Sequence, residues 1–96
     1  MKKVNISSLS QFKKALAVGV KVHCIHAKTG DMGIRPVARV QSNAFTLSTE
    51  INGETKESWC HFPKASECTF ESGSIVINWE VGGKLQPILT YSILEQ

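Results

Sequence analysis

Two runs of alternating polar and apolar residues flank the dipeptide Asn52-Gly53, the strongest short-range signal for a β-hairpin. A two-residue turn at this position places Phe45 directly opposite Cys60 on the partner strand. Because side chains alternate along a strand, these two residues are expected to share the core face, and Trp59 is expected on the other face. The sequence therefore predicts a β-rich fold that exposes a tryptophan.

The face of the hairpin that points away from the core is the candidate partner-binding site. Its members are predicted to be Thr46, Glu57, Trp59 and His61. An exposed aromatic ring among polar side chains is typical of a binding surface, because the ring buries a large apolar area when a partner covers it.

The 96 residues are enough for one hydrophobic core, so we expect a single domain over residues 1–96. The longest uncharged stretch is far shorter than the ~20 apolar residues that span a bilayer. The polar residues that follow Lys2 and Lys3 do not resemble a signal peptide. Three cysteines without regular spacing favour reduced thiols, and a cytoplasmic location is expected.

One helix is predicted, at about residues 8–18. Ser8 is a suitable N-cap, Gln11 completes a capping-box pattern and Gly19 is a stop signal. The apolar residues Phe12 and Leu16 recur at helical spacing, so this stripe should pack onto a sheet.

Antiparallel strands are predicted over about residues 20–94, with turns at Ser72-Gly73 and Gly82-Gly83. The fold class is α+β, mainly β: one N-terminal helix packed on a strongly bent antiparallel sheet or partly open, SH3-like small barrel. Trp79 and Tyr91 are interpreted as packing residues of the C-terminal strands. The predicted core comprises Phe12, Leu16, Val22, Phe45, Leu47 and Phe62.

Charge is distributed unevenly along the chain. Through Ser48 there are eight basic residues and one acidic residue, whereas the rest has three basic and seven acidic residues. Small barrels hold single-stranded nucleic acid on basic strand surfaces beside stacking aromatics. The alternative site is therefore a nucleic-acid surface formed by Lys21, Lys28, Arg35 and Arg39, with the two arginines expected on one face because they are four residues apart on one strand.

Cysteine and histidine residues raise the question of zinc or thiol chemistry. Cys24, His26 and Cys60 can converge on one face from different strands, and thiolate and imidazole are zinc ligands. The chain lacks the Cys-x2-4-Cys spacing of structural zinc sites, and no acidic residue is placed to orient a Cys/His pair. We therefore expect no metal, no cofactor and no enzymatic activity, and keep a small thiol or zinc enzyme as the third hypothesis.

Two segments carry a resemblance to a loose group of short phage- and prophage-encoded proteins. These are Arg39 to Phe45 and Ser58 to Glu67, the second of which reads Ser58-Trp-Cys-His-Phe-Pro-Lys-Ala-Ser-Glu67. The strand entry Gly19-Val-Lys-Val22 is a further point of similarity. The resemblance implies a protein that acts in the host cytoplasm on host machinery or phage nucleic acid. Inhibitors of host defence nucleases, including anti-CRISPR proteins, are similar in size. The net charge of +3 argues against imitation of DNA by dense acid.

The leading hypothesis is therefore a non-catalytic binding protein of phage origin that binds a host protein through the Trp59 face, for example as an inhibitor of a defence nuclease. A small nucleic-acid-binding barrel is the alternative.

Overall fold

A computed structural model of the chain, described over residues 2–95, contains one short α-helix and seven β-strands. The elements are α1 (Leu9–Ala15), β1 (Lys21–His26), β2 (Gly30–Val40), β3 (Ala44–Ile51), β4 (Glu54–His61), a 3-10 turn (Ala65–Glu67), β5 (Cys68–Glu71), β6 (Ser74–Val81) and β7 (Lys84–Leu94). Over these residues the strands form one antiparallel sheet, in the order β4-β3-β2-β1-β7-β6-β5, that is not closed into a barrel. The expected mainly β class with one N-terminal helix is confirmed.

The hairpin of β3 and β4 has the predicted register. Phe45 pairs with Cys60 and Thr46 pairs with Trp59. Asn52 and Gly53 both have positive φ, at 51° and 79°, which the two-residue turn requires and which these two residue types tolerate best.

Helix α1 is shorter than the predicted span of residues 8–18. It begins as expected, because the backbone N–H of Gln11 donates to Ser8 Oγ at 3.1 Å. It ends at Ala15, since Leu16 adopts extended backbone angles and is buried in the core. The backbone N–H of Val20 then donates to the carbonyl of Ala17, so residues 17–20 form a turn and not a last helical turn. Burial of Leu16 outweighs local helix propensity here.

Four aromatic rings form the centre of the core. Phe45 lies between Phe12, Phe62 and Tyr91, with ring centroids 5.8, 5.5 and 5.6 Å away. Helix α1 is thereby held against the sheet through Phe12. All six residues predicted for the core belong to this cluster or pack against it.

Strand β2 is shared between two parts of the sheet and bends it. Residues up to Pro36 pair with β1, and residues from Val37 pair with β3. One extra residue, Ala38, interrupts the second pairing between Val37 and Arg39, which is a β-bulge. A bulge increases local twist and reverses the faces that the following side chains occupy. Register shifts of the same kind occur in the pairing of β1 with β2 and of β6 with β7, and each adds to the curvature of the sheet.

Two glycines of similar conformation allow a prediction about the turn after β5. Gly73 has φ +82° and Gly83 has φ +83°, but a Cβ on Gly73 would lie 2.7 Å from Asn5 Oδ1, whereas a Cβ on Gly83 would meet nothing within 4 Å. Each substitution by alanine is expected to cost about 1 kcal/mol of folding free energy through backbone strain. Gly73→Ala should lose roughly 1 kcal/mol more through this clash. Urea denaturation of both variants measures the difference, and equal losses would show that Asn5 moves aside freely.

Candidate functional site

An apolar groove lies in the gap between edge strand β4 and the β6–β7 hairpin. Two adjoining clefts of about 270 and 330 Å³ share Trp59 and Cys60 of β4, Trp79 of β6, and Leu89 and Tyr91 of β7. In the sheet order, β3, β2, β1 and β7 all stand between β4 and β6. Residues from these distant strands can line one groove only because the sheet curls, and the groove is the gap at which the curl remains open.

Two tryptophans border this groove with more than half of each residue exposed. Trp59 is 54% exposed, in agreement with the prediction, and Trp79 is 57% exposed. Interpreting Trp79 as a packing residue was wrong. It follows Ile75 and Ile77 on the inner face. The pairing of β6 with β5 ends at Ile77, so Trp79 lies beyond the paired part of β5. Tyr91, in contrast, is buried as expected.

The other residues of the predicted hairpin site have different environments. Thr46 is wholly buried, and its hydroxyl donates to Glu57 Oε1 at 2.9 Å. The prediction that Thr46 lies on an exposed face was wrong. Thr46 positions Glu57 and cannot itself contact a partner. Glu57 also binds Arg39 Nε at 2.9 Å. His61 is exposed and lines the groove beside Trp59.

The four basic residues proposed for nucleic acid do not form one surface. Arg35 pairs with buried Val22 and therefore points to the inner face, whereas Arg39 pairs with Thr46 on the outer face. The prediction that both arginines share a face was wrong, because the bulge at Ala38 shifts the alternation between them.

The remaining two basic residues lie elsewhere. Lys21 pairs with Pro36, the residue that follows Arg35. Because neighbouring side chains of a strand point to opposite faces, Lys21 occupies the outer face of β1. Lys28 lies in the turn between β1 and β2. Together with Arg39, whose charge is neutralised by Glu57, these residues leave no continuous basic strip for a phosphate backbone.

Arg35 contributes positive charge to the groove. It lines the cleft of about 270 Å³ together with Trp59 and Trp79, and it is close enough to the thiols of Cys24 and Cys60 to affect their ionisation. Neither of the two ion pairs found within residues 2–95 includes Arg35. The groove thus combines aromatic walls with a guanidinium that has no carboxylate partner in the described part of the chain.

The thiols in the groove are held in the neutral form. Burial raises the pKa of Cys24 from 9.0 to about 11, and burial likewise raises the pKa of Cys60, partly offset by Tyr91 and Arg35. Cys24 Sγ contacts Met32 Sδ at 3.8 Å. A catalytic cysteine requires a lowered pKa, so this environment is opposite to that of an activated nucleophile.

Two of the three histidines are engaged in local contacts. His26 Nδ1 accepts the backbone N–H of Lys28 at 3.1 Å, and His23 Nε2 lies 2.8 Å from Asp31 Oδ1. The backbone N–H of Gly33 and the His23 contact lower the pKa of Asp31. Within residues 2–95, no three His, Cys, Asp or Glu side chains approach closely enough to hold a metal ion.

Cys24 provides a prediction for alkaline pH. Because its pKa is raised in the folded state, its contribution to stability is complete below pH 9.0, the ordinary pKa of the thiol, and is lost as the pH rises through about 11. The melting temperature should therefore fall between these pH values, and Cys24→Ala should remove part of that fall. Melting curves across this range test it, with Cys68→Ala, whose thiol is less buried, as the control. An unchanged fall in Cys24→Ala would contradict the assignment.

Comparisons of the chain with protein-family models, with curated proteins and with solved structures give no significant match. No helix within residues 2–95 has the length and apolar character needed to cross a membrane. The resemblance to phage-encoded proteins accordingly stays a prediction, and the groove is the feature of the structure that points to a function.

Proposed function

We propose that this protein is a non-catalytic binding module that holds a protein partner in the groove between β4 and the β6–β7 hairpin. The observation that carries the proposal is the pair of half-exposed tryptophans, Trp59 and Trp79, at the borders of one apolar groove. Tryptophan is enriched among the residues that dominate binding energy, because it buries a large apolar area with little loss of conformational freedom.

The phage or prophage origin suggested by the sequence is part of the same proposal. It places the partner among bacterial host proteins, a defence nuclease being one example, and the site of action in the host cytoplasm. Its basis is the resemblance of the segments that include Arg39 to Phe45 and Trp59 to Glu67.

The rival functions have less support. Nucleic-acid binding needs a basic surface, and Lys21, Arg35 and Arg39 are divided between two faces. Thiol catalysis needs a stabilised thiolate, and the pKa values of Cys24 and Cys60 are raised. Both features favour binding over these alternatives.

Affinity capture from a nuclease-treated bacterial lysate tests the proposal. We expect the wild-type protein to retain a protein that Trp59→Ala/Trp79→Ala does not retain. Val18→Ala, which removes a 72% exposed apolar side chain outside the groove, should capture as the wild type does. Capture that disappears with nuclease treatment, and that weakens steeply with salt, would instead support the nucleic-acid alternative.

A further inference from the structure

We propose that the groove takes an extended segment of the partner, which adds as a strand to the free edge of β4 and places an Asp or Glu carboxylate against Arg35. This inference rests on the proposed function and specifies the chemistry of the partner. Three observations carry it: the free edge of β4, the distribution of charge along that edge, and the guanidinium of Arg35.

The backbone edge of β4 borders the groove. Ser58, Trp59 and Cys60 line one part of the groove, and Trp59, Cys60 and His61 line the other. Successive side chains of a strand point to opposite faces, so consecutive residues reach one groove only along the strand's edge. Because β4 is the last strand of the sheet, this edge presents unpaired N–H and C=O groups to the groove. Such groups are what a strand-forming peptide pairs with.

The protection of this edge is uneven. Charged side chains normally keep exposed edge strands from pairing with other chains. The half of β4 next to the hairpin turn has this protection, from Glu54, Lys56 and Glu57, but the half along the groove, residues 58–61, has no charged side chain. Strand addition is therefore disfavoured at the turn and permitted along the groove.

Arg35 determines which extended segment fits. Arg35 is a half-buried residue that lines the groove beside apolar and aromatic side chains, and its guanidinium has no carboxylate partner within residues 2–95. A buried or half-buried charge is costly unless it is paired, and a carboxylate forms the strongest complement to a guanidinium. An acidic side chain on the added segment supplies that partner, which a neutral segment does not.

The same features argue against two other occupants. Phosphate groups of a nucleic acid gain most from several cations along a path, and the neighbouring cation Arg39 lies on the opposite face. A second copy of this chain is a weaker candidate, because the half of its β4 along the groove, residues 58–61, carries no carboxylate for Arg35. A partner with an acidic strand satisfies both the edge and the cation.

Panning of a random peptide library displayed on phage, with the whole protein as bait, tests the inference. We expect the enriched peptides to carry Asp or Glu and to be lost with Trp59→Ala. For one enriched peptide, Arg35→Gln should weaken binding about tenfold, and so should the exchange of its acidic residue for the amide. The two changes together should cost no more than either alone, because they remove one contact.

Controls separate this inference from the proposed function. Lys21→Gln removes a cation of the outer face of β1, away from β4, and should leave binding unchanged, and melting of Arg35→Gln should match the wild type. A peptide methylated on its backbone nitrogens should bind weakly if it pairs with β4. Peptides without acid that depend on Trp59 but not on Arg35 would overturn the inference and leave the proposed function standing. Enrichment that ignores both tryptophans, or self-association through β4 without peptide binding, would overturn both.

Discussion

Phe45→Ala is expected to lower the free energy of unfolding by about 3–5 kcal/mol, the usual loss for truncation of a buried phenylalanine. Phe45 is 1% exposed and contacts the rings of Phe12, Phe62 and Tyr91. Its removal leaves a cavity at the point where helix α1 meets the sheet, and the surrounding rings, which belong to α1, to the residue after β4 and to β7, cannot fully close it. Urea denaturation followed by circular dichroism measures the loss.

Phe70→Ala is the matched control for this prediction. It removes the same ring from β5, where Phe70 is only half-buried at the margin of the core. We expect a clearly smaller loss, because less apolar area is withdrawn from water. Equal losses for the two variants would contradict the central position of Phe45.

Trp79→Ala is expected to weaken binding of the captured partner by about 2 kcal/mol or more, and Trp59→Ala by a similar amount, as is typical of aromatic residues that dominate an interface. Neither change should alter the melting temperature much, because side chains exposed by more than half contribute little to the core. Calorimetric titration and thermal melting of both variants provide the two measurements.

Leu85→Ala is the control for the tryptophans. Leu85 is 56% exposed, close to the value for Trp79, and lies on the same hairpin but outside the groove. Binding by this variant should equal that of the wild type. If Trp59→Ala or Trp79→Ala unfolds the protein as Phe45→Ala does, that tryptophan belongs to the core and the groove loses one of its walls.

The parts of this fold that local chemistry determines could be predicted from the sequence. Asn52 and Gly53 tolerate positive φ, and that preference alone sets the register of β3 against β4. Ser8 caps the helix through its own hydroxyl, so the start of α1 was also predictable. In each case the decisive contact is formed by residues close together in the chain.

The bulge in β2 could not be predicted in the same way. Ala38 has no feature that marks it as an extra residue between Val37 and Arg39. The bulge lies where β2 changes from pairing with β1 to pairing with β3, so its position depends on tertiary packing. One unrecognised residue was enough to put Arg35 on the wrong face, and Arg35 is now the basic residue of greatest functional interest.

The groove depends on the curl of the whole sheet. Trp59 was identified because its hairpin register was predictable, whereas Trp79, which continues the apolar alternation of Ile75 and Ile77, was interpreted as a packing residue. Trp79 lies beyond Ile77, the residue at which the pairing of β6 with the short strand β5 ends. A short fifth strand, Cys68–Glu71, before a longer sixth was the available signal.

Amide hydrogen exchange of the whole protein, free and bound to its captured partner, tests the central claim most directly. The proposed groove predicts slower exchange in the complex at residues 58–61 of β4 and around Trp79 of β6, the two borders of the groove. Exchange around Lys21, on the outer face of β1, should stay the same. Protection of that outer face with unchanged exchange along β4 and β6 would show that the partner binds elsewhere.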